Sequence, residues 1–174
     1  MKNPVFLIFI LCLCVPCSIV RAQDVSIRPV PMDIVFLDMD GDGQDEMSIR
    51  SEINTEAFGP SIVLSFLKTM TNGQKQPMFF ETYGNLFDKS LTLPMGGACR
   101  QGEAYFLREG DDFSILVARK ESSDEAAPVT LSFYVSKHNE NPNEATPEWV
   151  LVRTGERITE EAYCDVRDAV DAVF

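Results

Sequence analysis

Short runs of β-branched and aromatic residues recur along the chain, broken by clusters of Gly, Pro, Asn and Asp. Such runs read as strands and the clusters as turns. Strands are predicted at Val25–Arg28, Asp33–Leu37, Met47–Glu52, Ser61–Thr69, Met78–Tyr83, Glu103–Arg108, Phe113–Arg119, Val129–Ser136 and Trp149–Arg153. Alternation is clearest where Thr130, Ser132 and Tyr134 are set against Leu131, Phe133 and Val135. The spacing suits a mainly β fold, either an antiparallel β-sandwich or a strongly bent sheet, and the sandwich is the expected architecture. The period then changes. Thr159 is the expected N-cap of a C-terminal helix, with Glu160 and Glu161 in its first turn against the dipole. Tyr163, Val166, Val170 and Val173 fall on one face of that helix. Polar connections are expected at Gly84–Ser90 and His138–Pro147, and no internal repeat is visible.

The amino terminus reads as a signal peptide over residues 1–22. Lys2 is the positive start, Val5–Val15 the apolar stretch, and Val20 and Ala22 the small residues before cleavage at Gln23. The apolar run is too short for an ordinary membrane span, so the protein is expected in the periplasm or secreted, not inserted in a membrane. Residues 23–174 then form one β-rich domain. Cleavage removes Lys2, Arg21 and no acid, leaving 13 basic against 27 acidic residues, a charge of −14. That surface would be repelled by nucleic acid and by anionic membranes. Three of five cysteines also leave, so Cys99 and Cys164 remain as a pair in an oxidising compartment. A disulfide is the simplest reading, with a reactive thiol or a metal-binding pair as the alternative.

The stretch between the second and third predicted strands carries the chemistry. In "DMDGDGQDE", five acids from Asp38 to Glu46 occupy nine positions with no Lys or Arg among them. Asp38, Asp40 and Asp42 stand at positions 1, 3 and 5 of a calcium loop, and Gly43 at position 6, where such loops turn sharply. Gln44 at position 7 would offer a backbone carbonyl, and Glu46 at position 9 a further carboxylate, directly or through water. An EF-hand would need Glu at position 12, which is Ile49, and helices on both flanks. The expectation is therefore a strand–loop–strand hairpin holding a structural calcium. It resembles the FG-GAP or VCBS type of loop, present here once and so not as a propeller. The alternative is an acidic turn without metal.

Other constellations match poorly. Ser65 to Lys68 fits Ser-x-x-Lys, Ser123-Asp124-Glu125 stands where Ser-Asp-Asn would, and Arg153-Thr154-Gly155 approximates Lys-Thr-Gly. Serine β-lactamases mount that Ser on a helix in a larger fold, whereas Ser65 lies in a predicted strand. His138, the only histidine, sits in a polar stretch and is expected to be solvated. No catalytic residue is expected, and a serine hydrolase acting through Ser65 is the weakest reading.

Several separated stretches resemble the carbapenem self-resistance CarG family of periplasmic proteins. They are "DMDGDGQDE", "FGPSIVLSFL", "GGAC", "ILVARKESSDEAAPVTLSFYV" and "YCDVRDAV". The resemblance implies a β-sandwich with added helices, homodimer formation, and protection against a carbapenem without hydrolysis. The leading expectation is thus a non-catalytic periplasmic binding protein whose ligand is a carbapenem or a protein. The alternative is a calcium-stabilised extracellular module that binds a protein or glycan, such as an envelope-enzyme inhibitor.

Overall fold

The computed structural model describes residues 25–56, 59–82, 86–141 and 147–174, so the expected signal peptide and Tyr83 lie outside the described residues. The described strands are β1 (Val25–Pro29), β2 (Ile34–Leu37), β3 (Glu46–Thr55), β4 (Gly59–Thr69), β5 (Lys75–Glu81) and β6 (Phe87–Asp88). They continue with β7 (Leu91–Pro94), β8 (Gly102–Glu109), β9 (Asp112–Arg119), β10 (Ala127–His138) and β11 (Trp149–Tyr163), followed by helix α1 (Val166–Val173). Each predicted strand is present. The short β6 and β7, in the polar and Pro-containing stretch after Tyr83, carry too few apolar positions to show a period.

The sheet runs β1-β8-β9-β10-β11-β5-β4-β3-β2, with β6 on β5 and β7 on β4. It is not the expected antiparallel sandwich. One continuous mixed sheet curls into a half-barrel, because β11 pairs with β5 in parallel, Val150 opposite Phe79 and Leu151 opposite Phe80. Two antiparallel halves that would otherwise be separate layers are joined through that contact. Alternation along a strand reveals which face is buried and says nothing about this join.

The two faces have separate cores. Inside the curl, Ile62, Leu64 and Phe66 of β4 meet Phe106, Ile115, Tyr134 and Leu151 from the other half. Phe80 links them, edge-on to Phe66 at 5.7 Å and to Tyr134 at 5.6 Å between ring centroids. On the opposite face α1 covers Tyr105, Leu107, Leu116, Ala118, Val129 and Leu131. Both faces of β8 and β9 are therefore covered where the sheet is central. This accounts for their unbroken apolar runs, "AYFL" and "ILVA".

The C-terminal helix begins later than expected. Asp165 is its N-cap, accepting from the Arg167 N–H at 2.9 Å. Thr159 lies inside β11, where its hydroxyl oxygen accepts from Val129 N–H at 2.9 Å and its O–H donates to the Glu161 carbonyl at 2.8 Å. It fills a register shift between Pro128 and Thr130 of β10. Backbone pairing with β10 holds the segment extended against a helix-like pattern of acids. Of the expected apolar face, Val166 and Val170 are buried on the helix and Val173 packs beside them, whereas Tyr163 ends β11 and packs against the same cluster from the strand. Cys99 and Cys164 form a disulfide spanning 65 residues, which fixes the start of α1 to the turn before β8.

A buried ion pair crosses between the halves. Arg50 of β3 meets Glu103 of β8 at 2.8 Å, both side chains being 5% exposed. Arg100 reaches the other Glu103 oxygen at 2.8 Å, and Arg50 also donates to the Val30 carbonyl at 2.6 Å.

Two stability predictions follow from these links. Replacing both Cys99 and Cys164 with Ala should cost about 4 kcal/mol in denaturant unfolding, the loop-closure value for a span of that length. Glu103→Ala, which strands Arg50 in the interior, should cost about 3–5 kcal/mol, whereas charge removal at exposed Glu52 should cost little.

Candidate functional site

The acidic loop joins β2 to β3, and its backbone bends with left-handed Gly41 (φ 77°) and Gly43 (φ 80°). Only glycine adopts that conformation without strain. Each aspartate then caps its own turn. Asp38 accepts from Gly41 N–H at 2.7 Å and from Gly43 N–H at 3.0 Å. Asp42 accepts from Gln44 N–H at 2.8 Å, and Asp40 receives a longer bond from Asp42 N–H at 3.4 Å. Met39, between the first two aspartates, turns its side chain into the core and is 4% exposed.

The positive charge that the local sequence lacks arrives from β4. Lys68 Nζ lies 2.8 Å from Asp40, 2.7 Å from Asp42 and 2.7 Å from Glu46. The lysine side chain is 2% exposed and Glu46 is fully buried. The other Glu46 oxygen accepts from Met39 N–H at 2.7 Å. The Trp149 ring lies 4.9 Å from the ammonium on a further side, a cation–π contact.

These contacts set the charge states. Burial alone would depress the Lys68 ammonium, but the three carboxylates outweigh it and raise its pKa above the ordinary lysine value. The Lys68 hydrogen bond holds Asp42 below the usual carboxylate range. Burial pushes Glu46 upward, against the pull of Lys68 and Met39 N–H.

Of the five expected ligands, Asp38, Asp40 and Asp42 each bring a carboxylate oxygen within 4.8 Å of the others and could hold a metal ion. Gln44 stands in the turn and is half-buried. Glu46 points inward to Lys68. The signal for Lys68 was present but misleading, since a lysine three residues after Ser65 drew attention to the wrong partner. The two are an odd number apart in one strand and so project from opposite faces. Ser65 is half-buried opposite Ile49. His138 is exposed, its ring centroid 4.6 Å from Trp149 and its Nε2 3.5 Å from Glu148.

Beside the loop lies a cleft of about 720 Å³. Phe113, Phe133 and Phe174 give it an aromatic lining, while Asp38, Asp40, Glu109, Asp111 and Asp112 stand along it with Arg108. Sequence reading did not find it. Its walls come from the β2–β3 loop, the β8–β9 hairpin, β10, β11 and the chain end, which only folding brings together.

No family model and no curated protein matches the chain. Among solved structures, the crystal structure of CarG superposes with a TM-score of 0.68 at 16% identity, over 84% of this chain and 96% of that one. The chain therefore has a CarG-like fold. No described helix is long and apolar enough to cross a membrane.

Two acids bonded to Lys68, the exposed Asp42 and the buried Glu46, act on stability with opposite signs. Asp42, whose pKa is lowered on folding, contributes stability that is present above its ordinary value of 3.8 and lost as pH falls below it. Glu46, whose pKa is raised, contributes stability that is present below its ordinary value of 4.5 and lost as pH rises through the raised one. Asp42→Asn should therefore lose less stability than wild type on acidification from about pH 6 to about pH 3, and Glu46→Gln should gain relative stability at the upper end. Parallel urea titrations across that range check both signs.

Proposed function

We propose that this is a non-catalytic binding protein of the periplasm or the extracellular space, acting as CarG-like proteins are expected to act, in protection against a carbapenem without hydrolysing it. The observation that carries the reading is the likeness to CarG over 96% of that chain. The Cys99–Cys164 disulfide suits an oxidising compartment.

The chemistry of the site supports binding over turnover. A serine mechanism through Ser65 would need a nearby base. Lys68 projects from the other face of β4 and is held protonated by three carboxylates, so it is no base for that hydroxyl. The acidic loop serves as a fixed rim of the cleft, whichever cation neutralises it.

A second reading is favoured by the cleft itself. A carbapenem carries a carboxylate, and five acids beside one arginine would repel it. An apolar segment of a protein partner bearing basic residues would suit the same walls. On this alternative the chain is an extracellular interaction module, such as an inhibitor of an envelope enzyme.

Expression in a carbapenem-sensitive host separates the two. The leading reading expects survival at a higher dose with the drug intact in the medium, and Ser65→Ala should leave protection unchanged. A covalent drug adduct on Ser65, seen by mass spectrometry, would overturn the non-catalytic assignment. No protection with the drug intact would favour the interaction module.

A further inference from the structure

We propose that Lys68 is a tethered cation that takes the place of calcium in the β2–β3 loop, so that the loop folds in this chain without a divalent ion. The spacing of the acids calls for calcium, and the structure answers with an ammonium at the same carboxylates. Positions 3, 5 and 9 of the loop are Asp40, Asp42 and Glu46, and all three receive Lys68 Nζ at 2.7–2.8 Å.

The count of donors supports the assignment. An ammonium has three N–H groups and no acceptor. Three carboxylates surround it, so each donor has one charged acceptor, and the Trp149 ring lies on a further side. All three donors of the ammonium are thereby satisfied.

The remaining oxygens are also engaged. Glu46 uses its second oxygen on Met39 N–H, and Asp38 uses both of its oxygens on Gly41 and Gly43 N–H. The turn is thus held by backbone donors and by the lysine. A divalent ion bound by Asp38, Asp40 and Asp42 would share two carboxylates with a buried positive charge. At such separations like charges in a partly dry site repel strongly. The ion would have to expel Lys68, which would then lie buried beside Trp149 without acceptors.

Covalent attachment is what makes the exchange effective. Lys68 is delivered by β4, which already pairs with β3 along Met47–Thr55, so no ion need be recruited from solution. Stability then becomes independent of free calcium, unlike that of a loop that binds it.

The test uses the full chain after purification from the periplasm. Wild type should show the same melting temperature in chelator and in calcium at roughly 10 mM, above the range in which extracellular calcium modules saturate. Calcium titrated by calorimetry into wild type should give no saturable heat. Lys68→Met should melt lower, and calcium should raise its melting temperature progressively, with Asp42→Asn in that background abolishing the gain. A chelator-induced drop in the wild type, or one calcium bound per wild-type chain, would overturn the proposal. If Lys68→Met does not fold, the wild-type measurements decide alone. Calcium-independent stability in Lys68→Met equal to that of wild type would also overturn it.

Discussion

A buried ammonium must find acceptors, and the placement of Lys68 organises one half of the sheet around that requirement. At an effective dielectric near 20, one close carboxylate contributes about 4 kcal/mol of attraction. Removing an ammonium from water costs several kcal/mol, so a single partner would barely break even. Three partners change the balance. They also come from one loop, at Asp40, Asp42 and Glu46, so the lysine is satisfied only when β2, β3 and β4 are in register and the turn between β2 and β3 has closed. The contact therefore specifies arrangement as much as it stabilises it.

The same logic governs β3. Its buried face is polar, with Glu46, Ser48 and Arg50 all turned inward. Met47 and Ile49 are half-buried on the other face. A hydrophobic reading alone would put the apolar set inside, one residue out of register. The charges are tolerated because each has a partner on another strand: Glu46 with Lys68 of β4, Arg50 with Glu103 of β8. One pair closes the acidic loop and the other spans the curl between the two halves. Between them Phe66, Phe80 and Tyr134 fill the interior with edge-on ring contacts. Apolar packing supplies the bulk of the burial, and the ion pairs determine which strands meet.

How much of this was legible follows from the range of each signal. Local signals were reliable: the strands, the sharp glycine turn and the helical spacing of Val166, Val170 and Val173 depend on neighbours in sequence, while the disulfide across 65 residues was legible only because two cysteines remain after the expected cleavage. The helix start was misread because Thr159 and the acids after it satisfy a local rule that strand pairing with β10 overrides. The join between β11 and β5 rests on two residue pairs more than 70 positions apart, and no period in either strand encodes it. The loop's carboxylates were visible, but their counter-charge was 22 residues beyond Glu46. Its distance in sequence hid it, since strand order alone brings Lys68 back over the loop.

That distance bears on what a CarG-like fold can carry. At 16% identity the likeness preserves a path of the chain and says nothing about which side chains fill it. Here the filling is particular: an ammonium inside the acidic turn, and an aromatic cleft lined with acids beside it. Asp38 and Asp40 belong to both features, with Asp38 holding the turn through glycine N–H groups and Asp40 bonded to Lys68. Their positions along the cleft are thus set from within the protein. A partner arriving at that rim meets carboxylates already fixed in place and saves the cost of ordering them, the usual advantage of a preorganised surface. The rim of the cleft and the folding chemistry at Lys68 are in this sense one system, joined through two nearby aspartates.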